Sequence, residues 1–161
     1  MRARWLPCLV ALALPAAAAA QTTPPAQTEA QALFEGLIVK DARTTPAIRQ
    51  LLQSDAGFVG AQPTFADLTG DGRMDAVVHV RMPGAAGTVA VYVFSTDGSK
   101  ADRLRAVFRS QALYQAITRI GPAGLTIVLP EWSRGDAVCC PSDRTERIYG
   151  WDARTHTLKR R

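Results

Sequence analysis

The spacing of hydrophobic side chains predicts β-strands over most of the chain after Phe58. Apolar and polar positions alternate over 75–82, 103–109 and 146–151, the period of a strand with one buried face. A nearly continuous apolar run from Val89 to Phe94 predicts a central strand that is covered on both faces. Residue pairs that favour turns separate these runs, at Pro83-Gly84, Asp97-Gly98 and Gly121-Pro122. We therefore expect about six strands in an antiparallel meander.

Two helices are predicted before the strands. Between Ala30 and Lys40, apolar residues recur at helical spacing, at Leu33, Phe34, Leu37 and Ile38. A second helix should begin at Thr45-Pro46, because threonine caps a helix and proline suits its first position. It should end between Ser54 and Gly57. The expected class is α+β, a small antiparallel β-sheet with one or two N-terminal helices.

The N terminus has the features of a secretory signal peptide over residues 1–20. Arg2 and Arg4 supply a positive start, an apolar stretch follows from Leu6 to Leu14, and small residues occupy Ala16 to Ala20. The apolar stretch is shorter than the roughly 20 residues needed to cross a bilayer. We therefore expect a periplasmic or secreted protein with no transmembrane anchor after cleavage.

Cleavage before Gln21 would leave one mildly basic domain. We expect a disordered polar linker over 21–29 and a single α+β domain over 30–161. The net charge falls from +5 to +3 because Arg2 and Arg4 are lost. One predicted strand carries a basic stripe, Arg103, Arg105 and Arg109, which is typical of a solvated sheet face. The export signal and the few interleaved aromatic residues argue against a nucleic-acid partner, so we expect an envelope or extracellular partner.

The most informative motif places oxygen-bearing side chains at alternate positions of one loop, at Asp67, Thr69, Asp71 and Asp75. With Asp67 as position 1, the carbonyl group of Arg73 falls at position 7, and Gly72 permits a sharp turn at position 6. Alternating oxygens of this kind can wrap a hard cation. The predicted calcium ligands are Asp67, Thr69, Asp71, Arg73 and Asp75.

Two features separate this loop from an EF-hand. Position 12 is Val78 rather than a bidentate glutamate, and a strand follows the loop instead of a helix. A plain turn between strands stays open as the alternative. In that case the aspartate and glycine residues are present because they favour the backbone conformation of a turn, and Asp67 or Asp71 makes local hydrogen bonds.

A second motif is the adjacent pair Cys139-Cys140, the cysteines that remain once Cys8 is removed with the signal peptide. Adjacent Cα atoms lie about 3.8 Å apart, below the usual disulfide range of about 4.4–6.8 Å. A bond between the two would be strained and easier to reduce. Three alternatives stay open: a vicinal disulfide that clips the loop, free or intermolecular thiols, and a redox or metal role.

The motifs also carry a resemblance to known families. The Asp67 loop resembles the calcium loops of FG-GAP and VCBS-type β-repeats, although Thr69 replaces an acidic or amide residue and the loop occurs once. The order D-x-T-G-D-G-R-x-D-A-V-V, G-D-x-x-C-C-P-S and R-x-Y-x-W-D resembles bacterial exported proteins of the LppP/LprE-type lipoprotein group over about residues 63–158. Cys8 is not part of a lipobox. The resemblance implies an envelope or secreted location and brings no catalytic residues.

Together these features predict an exported, non-enzymatic domain with a binding or envelope-interaction role and calcium as its cofactor. The alternative is a hydrolytic enzyme or an inhibitor that acts through the 131–142 loop. That alternative requires Glu131, Asp136 and a histidine to converge in a concave pocket. A convex loop favours binding instead.

Overall fold

A computed structural model of the chain describes residues 27–96 and 103–161. Within these ranges the fold contains two α-helices and nine strands in two antiparallel sheets, so the predicted α+β class with N-terminal helices is confirmed. The predicted signal peptide, residues 21–26 of the predicted linker and the Asp97-Gly98 turn lie outside the described residues. No helix in the described ranges is long and apolar enough to cross a membrane.

The helices are α1 (Glu29–Lys40) and α2 (Pro46–Gln53). The first sheet contains β1 (Phe58–Val59), β2 (Thr64–Ala66), β3 (Asp75–Met82), β4 (Gly87–Ser95) and β5 (Arg105–Ser110). The second sheet contains β6 (Ile117–Gly121), β7 (Gly124–Glu131), β8 (Asp143–Asp152) and β9 (Thr157–Arg160).

Each helix begins directly after a threonine that caps its N-terminal end. The Thr28 hydroxyl group accepts a hydrogen bond from the Gln31 N–H (3.2 Å), and the Gln31 side chain accepts one from the Thr28 N–H (2.9 Å). This reciprocal capping box satisfies two amide groups that a helix start leaves unpaired. Thr45 caps α2 with Pro46 at its first position, as the sequence predicts.

The strands form two sheets rather than one meander of about six strands. The second sheet runs in the order β6-β7-β8-β9, and β5 is the last strand of the first sheet. The chain crosses between the sheets at residues 111–116, where Ala112 and Gln115 have positive φ angles of 58° and 49°. These backbone bends separate the alternating segment 103–109 from the strands of the second sheet. Local periodicity does not specify such a crossover.

Strand β4 separates the two hydrophobic clusters of the core. Tyr92 and Phe94 pack towards the helices, and Val91 and Val93 pack towards the second sheet. All four side chains are almost completely buried. The predicted central strand with two covered faces is therefore confirmed. The layers run helices, first sheet, second sheet.

Arg109 does not lie on a solvated face. Its Nε atom donates to a carboxylate oxygen of Asp41, which is the residue that caps the C-terminal end of α1. The two side chains are only 15% and 14% exposed. The predicted basic stripe is thus wrong at Arg109, whose ion pair ties β5 to the helical layer.

Candidate functional site

The predicted calcium loop connects β2 to β3, which pair with each other. Ala66, at the end of β2, lies opposite Asp75, at the start of β3. Gly70 and Gly72 have φ angles of 76° and 81°, in the left-handed region that favours glycine. The segment therefore forms a tight hairpin loop, and the candidate ligands lie within a few residues of one another along it.

Asp67 and Asp71 bind the backbone of the loop. The carboxylate of Asp67 accepts hydrogen bonds from the N–H groups of Gly70 (2.6 Å) and Gly72 (3.0 Å). Asp71 accepts one from the Arg73 N–H (2.8 Å). These are the local bonds expected of a plain turn. Both aspartates are exposed, and an ionised carboxylate has about four acceptor positions, so further ligation is open to them.

Asp75 differs from the other two aspartates because it is buried, with 1% of its surface exposed. Its Oδ2 atom accepts hydrogen bonds from the N–H groups of Leu68 (2.7 Å) and Thr69 (2.9 Å). Its Oδ1 atom and the Thr69 hydroxyl group are also buried, and neither has a hydrogen-bond partner within the described residues. An unpaired buried polar group costs roughly 1–3 kcal/mol. Two such oxygens in one loop call for an ion or a water molecule as partner.

The structure does not draw the acidic side chains of the loop into one cluster. Across residues 27–96 and 103–161, no three His, Cys, Asp or Glu side chains form a group that could hold a metal ion. Asp67 and Asp71 instead hold backbone amides at the surface, and Asp75 lies inside. Calcium binding therefore stays a prediction, and it depends on the exposed side chains turning towards the buried oxygens.

The second motif lies in the β7–β8 loop, where Cys139 and Cys140 form a disulfide with a Cα–Cα distance of 3.8 Å. Both cysteines are exposed. Asp136 holds the loop, because its Oδ2 atom accepts hydrogen bonds from the N–H groups of Ser133 (2.7 Å) and Ser142 (2.9 Å). The hydrogen bond from Ser133, followed by those from Ser142, lowers the pKa of Asp136. Of the alternatives for the cysteines, the structure contains the vicinal disulfide.

Within the part of the chain that the structure describes, Glu131, Asp136 and a histidine are not found together in a group of three side chains that could hold a metal ion. The Asp136 carboxylate serves the loop backbone, and the histidines lie on other elements, His79 in β3 and His156 in the β8–β9 turn. Trp132 instead packs edge-on against Tyr114 (ring centroids 5.3 Å apart), and about two fifths of each side chain is exposed. The loop therefore presents the partly exposed ring of Trp132 and also contains the Cys139–Cys140 disulfide.

The linear sequence does not predict a cleft of about 470 Å³ that is lined by residues of both sheets. The imidazole Nε2 atom of His79 on β3 lies 2.8 Å from the hydroxyl group of Thr118 on β6, and both residues line the cleft. Arg81 lines it as well. Nothing in the linear spacing pairs His79 with Thr118, because they are 39 residues apart and lie in different sheets.

The disulfide gives a direct prediction for the thiol content of the chain. Residues 21–161, purified without reductant, should contain no free thiol, because Cys139 and Cys140 are oxidised to each other. Thiol counting in denaturant without reductant measures this, and reductant should then release both thiols. Cys140→Ser is the control and should expose one thiol. Two free thiols without reductant, or a covalent dimer, would contradict the internal bond.

The chain matches no protein-family model, no curated protein and no solved structure. The resemblance to the LppP/LprE-type lipoproteins therefore stays a prediction from the motifs.

Proposed function

We propose that this chain is an exported, non-enzymatic binding domain whose β2–β3 loop holds a calcium ion. The observation that carries the proposal is the pair of buried, unpartnered oxygens, Oδ1 of Asp75 and Oγ1 of Thr69. Calcium accepts carboxylate, hydroxyl and carbonyl oxygens as ligands. A cation beside these two atoms would offset the cost of burying them without a partner.

The remaining ligands come from the exposed part of the same loop. Asp67 and Asp71 supply carboxylates, the Arg73 carbonyl group supplies a neutral oxygen, and Thr69 and Asp75 complete the protein ligands. The side chains of Asp67 and Asp71 are exposed, and their hydrogen bonds to the loop backbone leave acceptor positions for a cation. Three carboxylates with two neutral oxygens on a short exposed loop favour a Kd of roughly 10⁻⁴–10⁻³ M, the range of extracellular modules. Export supports this affinity class, since free calcium is scarce inside cells.

Calcium should raise the melting temperature of the mature protein. A ligand that binds only the native state at ten times its Kd adds about 1.4 kcal/mol, or roughly 5 °C for a domain of this size. Thermal unfolding by circular dichroism, in EDTA and in 5 mM calcium, measures the shift. Magnesium at the same concentration should give a smaller shift, because it demands near-octahedral geometry and keeps its water ligands.

Asp71→Ala should abolish the calcium shift, and Asp143→Ala is its matched control. Each aspartate is exposed, and each accepts a local hydrogen bond from a following backbone N–H, from Arg73 (2.8 Å) and from Arg144 (2.7 Å). The two substitutions therefore remove the same charge and the same kind of bond. A wild-type melting curve that ignores millimolar calcium would contradict the proposal. So would an equal loss of the shift in both variants.

A further inference from the structure

The cleft that was not predicted lies at the opposite end of β3 from the calcium loop. Asp75 begins the strand and Arg81 lies near its other end, about 20 Å away at the rise of a β-strand. The β3–β4 register shifts between Val80 and Arg81. Such irregularities re-aim side chains at the edges of sheets. The volume of about 470 Å³ is within the range of small-molecule pockets.

The charge of the cleft has one sign. Among the described residues that line the cleft, Arg81 is the only Lys, Arg, Asp or Glu. Within the described part of the chain, its guanidinium group has no hydrogen-bond or ion-pair partner. Burial, and to a lesser degree the neighbouring Arg81, lowers the pKa of His79, which favours the neutral imidazole. A cleft with one unpaired cation favours an anionic ligand.

The walls supply both polar and apolar contacts. The hydrogen bond between His79 and Thr118 fixes the imidazole ring across the gap between the sheets. Gln62 adds an amide at one side of the cleft, and Ala116 and Ile117 add apolar surface at the other. A few polar groups on an apolar lining are typical of sites for small organic molecules.

We propose that this cleft binds a small organic anion, with its carboxylate or phosphate group on Arg81 and a compact apolar body against Ala116 and Ile117. The guanidinium group offers the forked donor geometry that matches both oxyanions. The proposal goes beyond the calcium loop and does not depend on it. No residue is shared between the two sites.

Histidine NMR provides the test, because the chain has two histidines, one inside the cleft and one outside it. His156 packs against Trp151 in the β8–β9 hairpin and serves as the internal reference. The probes are benzoate, phenyl phosphate and acetate, added at constant ionic strength to the mature protein in EDTA. We expect saturable shifts of the His79 imidazole signals with no change at His156. At least one aromatic probe should bind at least tenfold more tightly than acetate, because only the aromatic probes bury an apolar body.

Variants separate a built site from general charge attraction. Arg81→Gln should weaken binding of the better aromatic probe at least tenfold, and Arg81→Lys should retain part of it. Arg154→Gln is the matched control, since it removes one exposed arginine at the far edge of the second sheet and should leave binding unchanged. If Arg81→Gln does not fold, Ile117→Glu places an opposing charge on an exposed wall residue and should abolish binding.

Several results would overturn the proposal. These are the absence of a saturable His79 shift with all three probes, equal affinity for acetate and the aromatic probes, and binding that survives Arg81→Gln or Ile117→Glu unchanged. A comparison of benzoate with phenyl phosphate then identifies which oxyanion the cleft prefers. Failure of this test would leave the calcium prediction untouched, because the titrations are run in EDTA.

Discussion

Gly124→Ala should lower the free energy of unfolding by about 3–5 kcal/mol, a large part of the stability of a small domain. Gly124 is the first residue of β7 and has a φ angle of 111°, a backbone conformation that residues other than glycine rarely adopt. A Cβ atom there would meet the carbonyl oxygen of Tyr149 on β8 and would lie 3.3 Å from the Cα atom of Gly150. Neither is a flexible side chain, so the β7–β8 ladder itself would have to shift. Urea unfolding followed by tryptophan fluorescence measures the loss.

Gly135→Ala separates the clash from the backbone strain. Gly135 has a similar φ angle of 101°, but nothing lies within 4 Å of the position that its Cβ atom would occupy. Only the conformational cost of roughly 1–3 kcal/mol should appear. Equal losses in the two variants would show that contact with β8 contributes nothing, and the explanation for Gly124 would be wrong.

Asp75→Ala should cost about 2–4 kcal/mol in EDTA, because the loss of its hydrogen bonds outweighs the roughly 1–3 kcal/mol regained by removing the unpaired Oδ1 atom. The substitution leaves the buried N–H groups of Leu68 and Thr69 without their charged acceptor, and hydrogen bonds to charged groups contribute roughly 1.5–3 kcal/mol each. Asp75→Asn should cost less, because its amide oxygen can still accept from these donors. Chemical denaturation in EDTA gives both values.

Asp143→Ala serves as the control for Asp75 as well, because it removes an exposed aspartate and should stay within about 0.5 kcal/mol of wild type. A loss below about 1 kcal/mol for Asp75→Ala would contradict the structural role of the buried carboxylate. Calcium then adds a second readout. If Oδ1 of Asp75 is a ligand, Asp75→Asn should also lose the calcium-dependent rise in melting temperature, even where it folds well.

The sequence alone determined the features that depend on neighbouring residues. The start of α2 follows from the capping threonine and the proline after it, because both act within one helical turn. The burial of β4 on both faces follows from its apolar run, since a strand with no polar side has no face to present to water. The glycine positions of the β2–β3 loop followed from its turn chemistry. For Cys139 the sequence offered Cys140 as the cysteine partner after the predicted signal peptide, but it left open whether the two are bonded.

The tertiary structure alone decided what depends on distant partners. The strands divide into two sheets because the backbone bends at Ala112 and Gln115, which no periodic pattern signals. Arg109 is part of an expected solvated stripe, yet it pairs with Asp41, 68 residues away. Packing also decided which loop oxygens are buried, and it brought residues of both sheets together to line the cleft. Patterning is local information, whereas burial and pairing arise only when separate segments exclude water from each other.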